Sequence, residues 1–201
     1  REITQLSRGT TNAPHGRMSR LLVVSATLLA LTGTASAGYI GLGIGSVPTV
    51  SDEQSVYEAT SRSAKLIAGT RFGRFSIEGA LGGFDIARAG SPNSAKIPFG
   101  TTYQLSAALK FNLPLGDNFE AFGRVGLGHT WLSSDDAAHD VWEAKGNGVL
   151  AGIGLEYRLD VGVAGGSVFI DYQVDRTEIS NDVRSDEVST RRFSIGATVG
   201  F

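Results

Sequence analysis

Arg191-Arg192-Phe193-Ser194-Ile195-Gly196-Ala197-Thr198-Val199-Gly200-Phe201 alternates apolar with small or polar residues over its whole length. Successive side chains of a strand point to opposite faces. Phe193, Ile195, Ala197, Val199 and Phe201 therefore share one face, and Arg192, Ser194, Gly196, Thr198 and Gly200 share the other. A strand placed between lipid and the interior of a closed barrel needs that division, apolar outward and small or polar inward. The fold then depends on whether the remaining chain repeats the pattern.

It does, seven more times. Alternation runs over Tyr39–Ser46, Ser63–Phe72, Phe75–Phe84, Thr101–Leu113, Phe119–Trp131, Asn147–Leu159 and a seventh stretch containing Val168, Ile170 and Tyr172 opposite Asp171 and Gln173. The fourth is the most regular, with Tyr103, Leu105, Ala107, Leu109, Phe111 and Leu113 on one face and Gln104, Ser106, Lys110 and Asn112 on the other. The connections alternate in length. Long ones (Val47–Arg62, Asp85–Gly100, Leu132–Gly146, Arg176–Val188) take turns with short ones (Gly73-Arg74, Pro114–Asn118, Asp160–Gly166). Bacterial outer-membrane barrels have an even number of strands, short periplasmic turns and longer extracellular loops. The expectation is an all-β, eight-stranded antiparallel up-and-down transmembrane barrel over residues 38–201. Aromatic girdles are expected at its two rims: Phe72, Phe75, Phe111, Phe119, Tyr157 and Phe201 at the short-turn end, and Phe84, Tyr103, Trp131 and Tyr172 toward the other.

The front of the chain reads differently. After Met18 come Arg20, an apolar run from Leu21 to Leu31, and Ala35-Ser36-Ala37. That order of positive, apolar and small residues marks a secretory signal cleaved after Ala37. The apolar run is short of the about 20 residues that a membrane helix needs. Residues 1–17 lack apolar periodicity and read as a disordered upstream extension. Of the 18 basic and 20 acidic residues, four and one fall in residues 1–37, which leaves residues 38–201 with a formal charge of −5. Such a balance argues against nucleic acid, which calls for a basic stripe. The chain has no cysteine, which excludes a disulfide framework for an exported domain.

The segments Phe119–Gly128, Gly148–Leu159 and Arg192–Phe201 resemble the outer-membrane β-barrel superfamily that includes the OmpA transmembrane domain. The resemblance implies an integral protein of the Gram-negative outer membrane. It also implies that Phe201, as a final aromatic on an alternating strand, is read by the barrel-assembly machinery. Proteins of the OmpA family usually continue into a peptidoglycan-binding domain. The sequence reads as the barrel alone, so the resemblance gives no expectation of a cell-wall tether.

Inward positions carry Lys65, Arg71, Glu78, Lys110, Glu120, Arg124, Glu156, Arg158, Asp171 and Arg192. An eight-stranded barrel is just wide enough for side chains to fill, and an unpaired charge there is costly. These residues are expected to form an ion-pair network across the lumen, with Arg71–Glu78 and Lys110–Glu120 as candidate pairs. The network reads as a plug in place of an apolar core, with a narrow diffusion pore as the alternative. A lipid A-modifying enzyme is a third reading. Its nucleophile and base would come from His129, Ser133, Ser134, Asp135 and His139, but Trp131 stands where the deacylase His-x-Ser spacing needs serine. No catalytic, cofactor or metal site is assigned. The expected partners are outer-membrane lipid and lipopolysaccharide, the assembly machinery, and a surface ligand of the four long loops. The third loop carries Asp135, Asp136, Asp140 and Glu143 with no Lys or Arg between Leu132 and Ala144, and the fourth carries Glu178, Asp182, Asp186 and Glu187 against Arg176 and Arg184. Those carboxylates read as solvated charge, or as hard oxygen ligands for cations bridging to lipopolysaccharide phosphates.

Overall fold

Hydrogen bonds between Tyr39–Gly45 and Ser194–Gly200 join the first strand to the last and close the sheet. In the computed structural model, which describes residues 38–52, 57–88, 97–133, 143–159, 165–181 and 184–201, ten strands are present. They are β1 (Gly38–Gly45), β2 (Thr49–Asp52), β3 (Tyr57–Ala59), β4 (Ala64–Phe72), β5 (Phe75–Arg88), β6 (Ile97–Pro114), β7 (Phe119–Ser133), β8 (Glu143–Leu159), β9 (Gly166–Asn181) and β10 (Arg184–Gly200). Eight of them, β1 and β4–β10, pair antiparallel in sequence order and close as a barrel. Closure satisfies the backbone polar groups that lipid cannot. The reading of residues 1–37 as extension and signal, including cleavage after Ala37, lies outside the described residues.

The strands reach further than the sequence pattern suggested. About 9–11 tilted residues cross a bilayer, yet β5–β10 run for 14 to 18 residues. Residues 85–88, 97–100, 143–146, 176–181 and 184–188, expected in loops, continue the wall. The fourth long connection is instead a hairpin whose paired strands approach as close as Asn181 and Arg184. The first connection also contains two strands. β1 and β4 stop early, and above them β2 pairs with β10 and β3 pairs with β5. The interruption is fastened by Ser46 and Ser63: Gly45 N donates to Ser63 O at 2.7 Å, and Ser63 N to Ser46 O at 3.3 Å. Polar, aperiodic stretches gave no hint of this, because pairing to an existing edge supplies what their own pattern lacks.

The hydrophobic arrangement is inverted relative to a water-soluble protein. Leu127 and Ile153 are each 67% exposed on the outer face, while Glu120 and Asn112 are fully buried inside. Phe75 with Phe111, Phe119 with Tyr157, and Tyr172 with Phe193 make ring contacts on the outer face at centroid distances of 4.7–5.2 Å. Phe84 departs from expectation. It points inward and packs with Ile86 and Leu132, against Val50, Ala59 and Ile179, at the loop end of the lumen. The strand continues past Phe84, so the residue belongs to the inward series Ala80, Gly82, Phe84, Ile86 rather than to a rim.

Two glycines show how tightly the chain is set. Gly73 has φ +62° in the two-residue turn between β4 and β5, a region open to glycine at no steric cost. At Gly196 an added Cβ would meet the Leu42 carbonyl oxygen and the Phe169 ring. Gly196→Val is expected to cost about 1–3 kcal/mol through overpacking. Denaturant unfolding of the folded barrel measures this, and an unchanged midpoint would contradict the contact.

Candidate functional site: the charged lumen

The strands tilt, so a row of hydrogen-bonded partners climbs as it passes round the barrel. One row starts at Arg71, near the short-turn end, and passes Ser76, Lys110, Arg124, Gly152 and Gln173 to reach Arg192. Four cations are thereby wound into a helix on the inner wall, and carboxylates from other strands face them across the lumen.

Three tiers result. Nearest the short turns, Arg71 donates two hydrogen bonds to Glu120, at 2.8 Å each, and Arg158 Nε stands 3.5 Å from the same carboxylate. In the middle tier, Asp171 Oδ2 accepts from Lys65 Nζ at 2.7 Å and from Arg124 at 2.6 Å. Lys110 Nζ donates to Glu156 at 2.6 Å and lies 3.4 Å from Glu78, whose other oxygen is 3.3 Å from Arg124. Tyr39 donates its hydroxyl to Glu78 at 2.6 Å. Phe122 sits among these groups, its ring 4.4 Å from Lys110 Nζ and 5.0 Å from the Arg124 guanidinium carbon. In the upper tier, Arg192 donates to Gln104 at 2.6 Å and stands 3.2 Å from Asp175, which also accepts from Gln173 and Gln104.

All ten inward charges named from the sequence line the lumen or its mouth. The two candidate pairings are corrected. Arg71 bonds Glu120 rather than Glu78. Lys110 meets Glu156 and Glu78 rather than Glu120. The register explains both. Glu120 pairs with Pro114, four residues along β6 from Lys110, about 13 Å at the rise of a strand. Glu78 pairs with Gly69, two residues deeper than Arg71. Strand tilt then brings Glu120 of a distant strand across to Arg71. Asp175, Tyr39, Gln104 and Gln173 were missed as members of the network. Asp175 continues the inward series of Asp171 and Gln173, and its signal was period two carried one step further.

Little space remains between the tiers. The gap bounded by Lys65, Glu78, Gln104, Arg124, Gln173 and Arg192 measures about 10 Å³, room for about one water. Below it a vestibule of about 400 Å³ opens at the short-turn end, lined by Arg71, Lys110, Glu156 and Arg158 among others.

The remaining sequence candidates sit elsewhere. His129 faces outward, its Nδ1 2.6 Å from the Asn147 side-chain oxygen and its ring 4.5 Å from that of Trp131. The side chain of Ser133 and all of Ser134, Asp135, Asp136, His139 and Asp140 lie outside the described residues, as do the side chains of Glu143 and Asp186 and all of Asp182. Glu178 and Glu187 are exposed and directly opposite each other on β9 and β10. Phe201 is exposed on the outer face, and its backbone exchanges hydrogen bonds with Gly38 at 2.9 and 3.2 Å.

A closed barrel with an apolar exterior and a polar, ion-paired interior defines an integral protein of the outer membrane. Residues 19–201 match the family described as "Outer membrane protein beta-barrel domain", and the chain belongs to it. No curated protein sequence matches. Among solved structures, the barrel is similar to Neisserial surface protein A, with TM-score 0.60 and 14% identity over 82% of this chain and 97% of that one. It is also similar to Ail, the attachment invasion locus protein of Yersinia pestis, with TM-score 0.54 and 13% identity over 84% and 100%. A second Ail structure, in complex with the heparin analogue sucrose octasulfate, gives TM-score 0.53 and 14% identity over 84% and 100%. These likenesses establish the fold. The short-turn end is then the periplasmic end, and the extended wall faces outward from the cell.

Proposed function

We propose that this chain is a closed barrel serving a structural or surface-interaction role, and neither a channel nor an enzyme. The observation that carries the reading is the filled lumen: three tiers of paired charge with room between them for about one water, capped on the outer side by Phe84, Ile86 and Leu132. The wall that continues past the bilayer gives the extracellular connections a rigid base, and loops on rigid scaffolds commonly carry binding. Two structural neighbours support the surface role by their names, one a surface protein and one an attachment invasion locus protein. Partners in this reading are outer-leaflet lipid, the assembly machinery acting on the Phe201 strand, and a surface ligand met by the outer connections. The diffusion-pore alternative draws on the periplasmic vestibule of about 400 Å³, but would require the middle tier to part.

Intact-cell permeability tests the choice. Overproducing the protein in the outer membrane should leave the rate at which nitrocefin reaches a periplasmic β-lactamase unchanged. A rate that rises with the amount of folded barrel would overturn the reading and favour the pore.

A further inference from the structure

The outer wall of the barrel is not uniformly apolar. On β9 the outward series Val168, Ile170, Tyr172, Val174 ends at Arg176, the tenth residue beyond Gly166. On β10 the series Phe201, Val199, Ala197, Ile195, Phe193 ends at Arg191, ten residues back from Phe201. Both arginines are exposed on the outer face. They stand where a tilted strand of about 9–11 residues leaves the hydrocarbon. Arg191 pairs with Val174 and Arg176 with Ser189, so the two guanidinium groups are diagonal neighbours on one face. Such neighbours lie about 7–8 Å apart. Among the described residues neither makes an ion pair, unlike the inward Arg71, Arg124 and Arg192.

Beside them, centred on the neighbouring strands β7 and β8, the wall is indented. Gly123 and Ala151 face outward where neighbouring positions carry large side chains, and the depression between Phe111, Ile153, Tyr172 and Val174 measures about 490 Å³. An added Cβ at Gly123 would meet only one atom within 4.0 Å, the Gly152 carbonyl oxygen. The indentation runs up to Val174, the register partner of Arg191. An apolar trough at bilayer depth, ending beside two arginines that make no ion pair among the described residues, has the shape and polarity of a phosphorylated, acylated lipid.

We infer that β7–β10 form a site for one lipid A molecule of the outer leaflet, with an acyl chain in the Gly123–Ala151 trough and a phosphate on Arg176 and Arg191. Arginine suits the phosphate through its fork of donors. Thr49, opposite Arg191, and Ser189, opposite Arg176, add hydroxyls at the same level. Glu178 and Glu187 stand one outward step further from the apolar band, so the arginines meet the phosphates first. The bilayer-facing orientation rests on the family assignment. The site itself does not depend on whether the lumen is closed.

The test is native mass spectrometry of the full protein, folded and purified from outer membranes, exchanged into detergent with bis-phosphorylated lipid A. The wild-type protein should retain one lipid A in preference to its dephosphorylated form and to phosphatidylglycerol. Arg176→Ala/Arg191→Ala should reduce retention about tenfold or more. Gly123→Leu, which fills the trough and leaves both arginines in place, should also reduce it. Arg74→Ala, at the periplasmic turn, should change nothing. A heat-shifted gel band confirms that each variant is folded, and Arg176→Lys/Arg191→Lys keeps the charge should the alanine pair fail to assemble, with retention expected near wild type. Equal retention of phosphorylated and dephosphorylated lipid A, equal retention of phosphatidylglycerol, or retention in the alanine pair equal to wild type would overturn the inference.

Discussion

Asp171→Ala should destabilise the barrel by about 3–5 kcal/mol or more. The carboxylate is 2% exposed and accepts from both Lys65 and Arg124, which are themselves buried. Removing it leaves two cations in a space too small for the water that would solvate them. Asp171→Asn keeps the shape and loses the charge, so it should lose most of the same stability. The triple change Asp171→Leu/Lys65→Met/Arg124→Leu should recover part of it, since replacing buried ion pairs by apolar residues is often neutral, while Glu78 loses Arg124 and keeps Lys110 and Tyr39. Urea unfolding in lipid vesicles measures all three. A single Asp171→Ala loss of under about 1 kcal/mol would mean the middle tier is hydrated and open.

Leu109→Arg should remove the protein from the outer membrane. Leu109 is 48% exposed on the lipid face, beside Ile77 and Val125, and an arginine at mid-bilayer on that face costs about 2–4 kcal/mol. The next residue, Lys110, carries the same sign of charge and is well housed, because it faces Glu156 and Glu78 inside. One residue of displacement thus separates a tolerated cation from a destructive one. The readout is the heat-modifiable band in isolated outer membranes. Normal levels of folded Leu109→Arg would contradict the assigned facing.

That facing was legible in the sequence because period two is a local property. Leu109 and Lys110 need only their neighbours to be assigned to faces, and so do Phe193 and Ser194. The closed eight-stranded order followed from counting such runs. What could not be read was how the runs meet. Arg71 finds Glu120 because eight tilted strands wind the rows upward, and shear is a property of the closed object. The strand ends were under-read for a related reason. Beyond the bilayer the outer face carries exposed Arg176, Glu178 and Glu187, while Ile179 and Val188 turn inward, so the apolar side of the alternation changes face while the ladder continues. Phe84 was misassigned on the same account: with the strand cut short, an inward aromatic looks like a rim aromatic. Asp175 fell just past the last residue counted as inward. Of the two outward arginines, Arg191 stood at the head of the last strand and Arg176 was read as loop charge, and only the continuation of β9 through Arg176 put them on one face.

Ionic current through the protein itself is the most direct measurement of whether paired charge closes the lumen. Full-length protein, purified folded from outer membranes and inserted into a planar bilayer, should give no discrete conductance steps while a heat-shifted gel band confirms its fold. Steps that recur at a fixed size in the wild-type protein, and that change size in Arg124→Ala, would contradict the claim and make the middle tier the wall of a narrow pore.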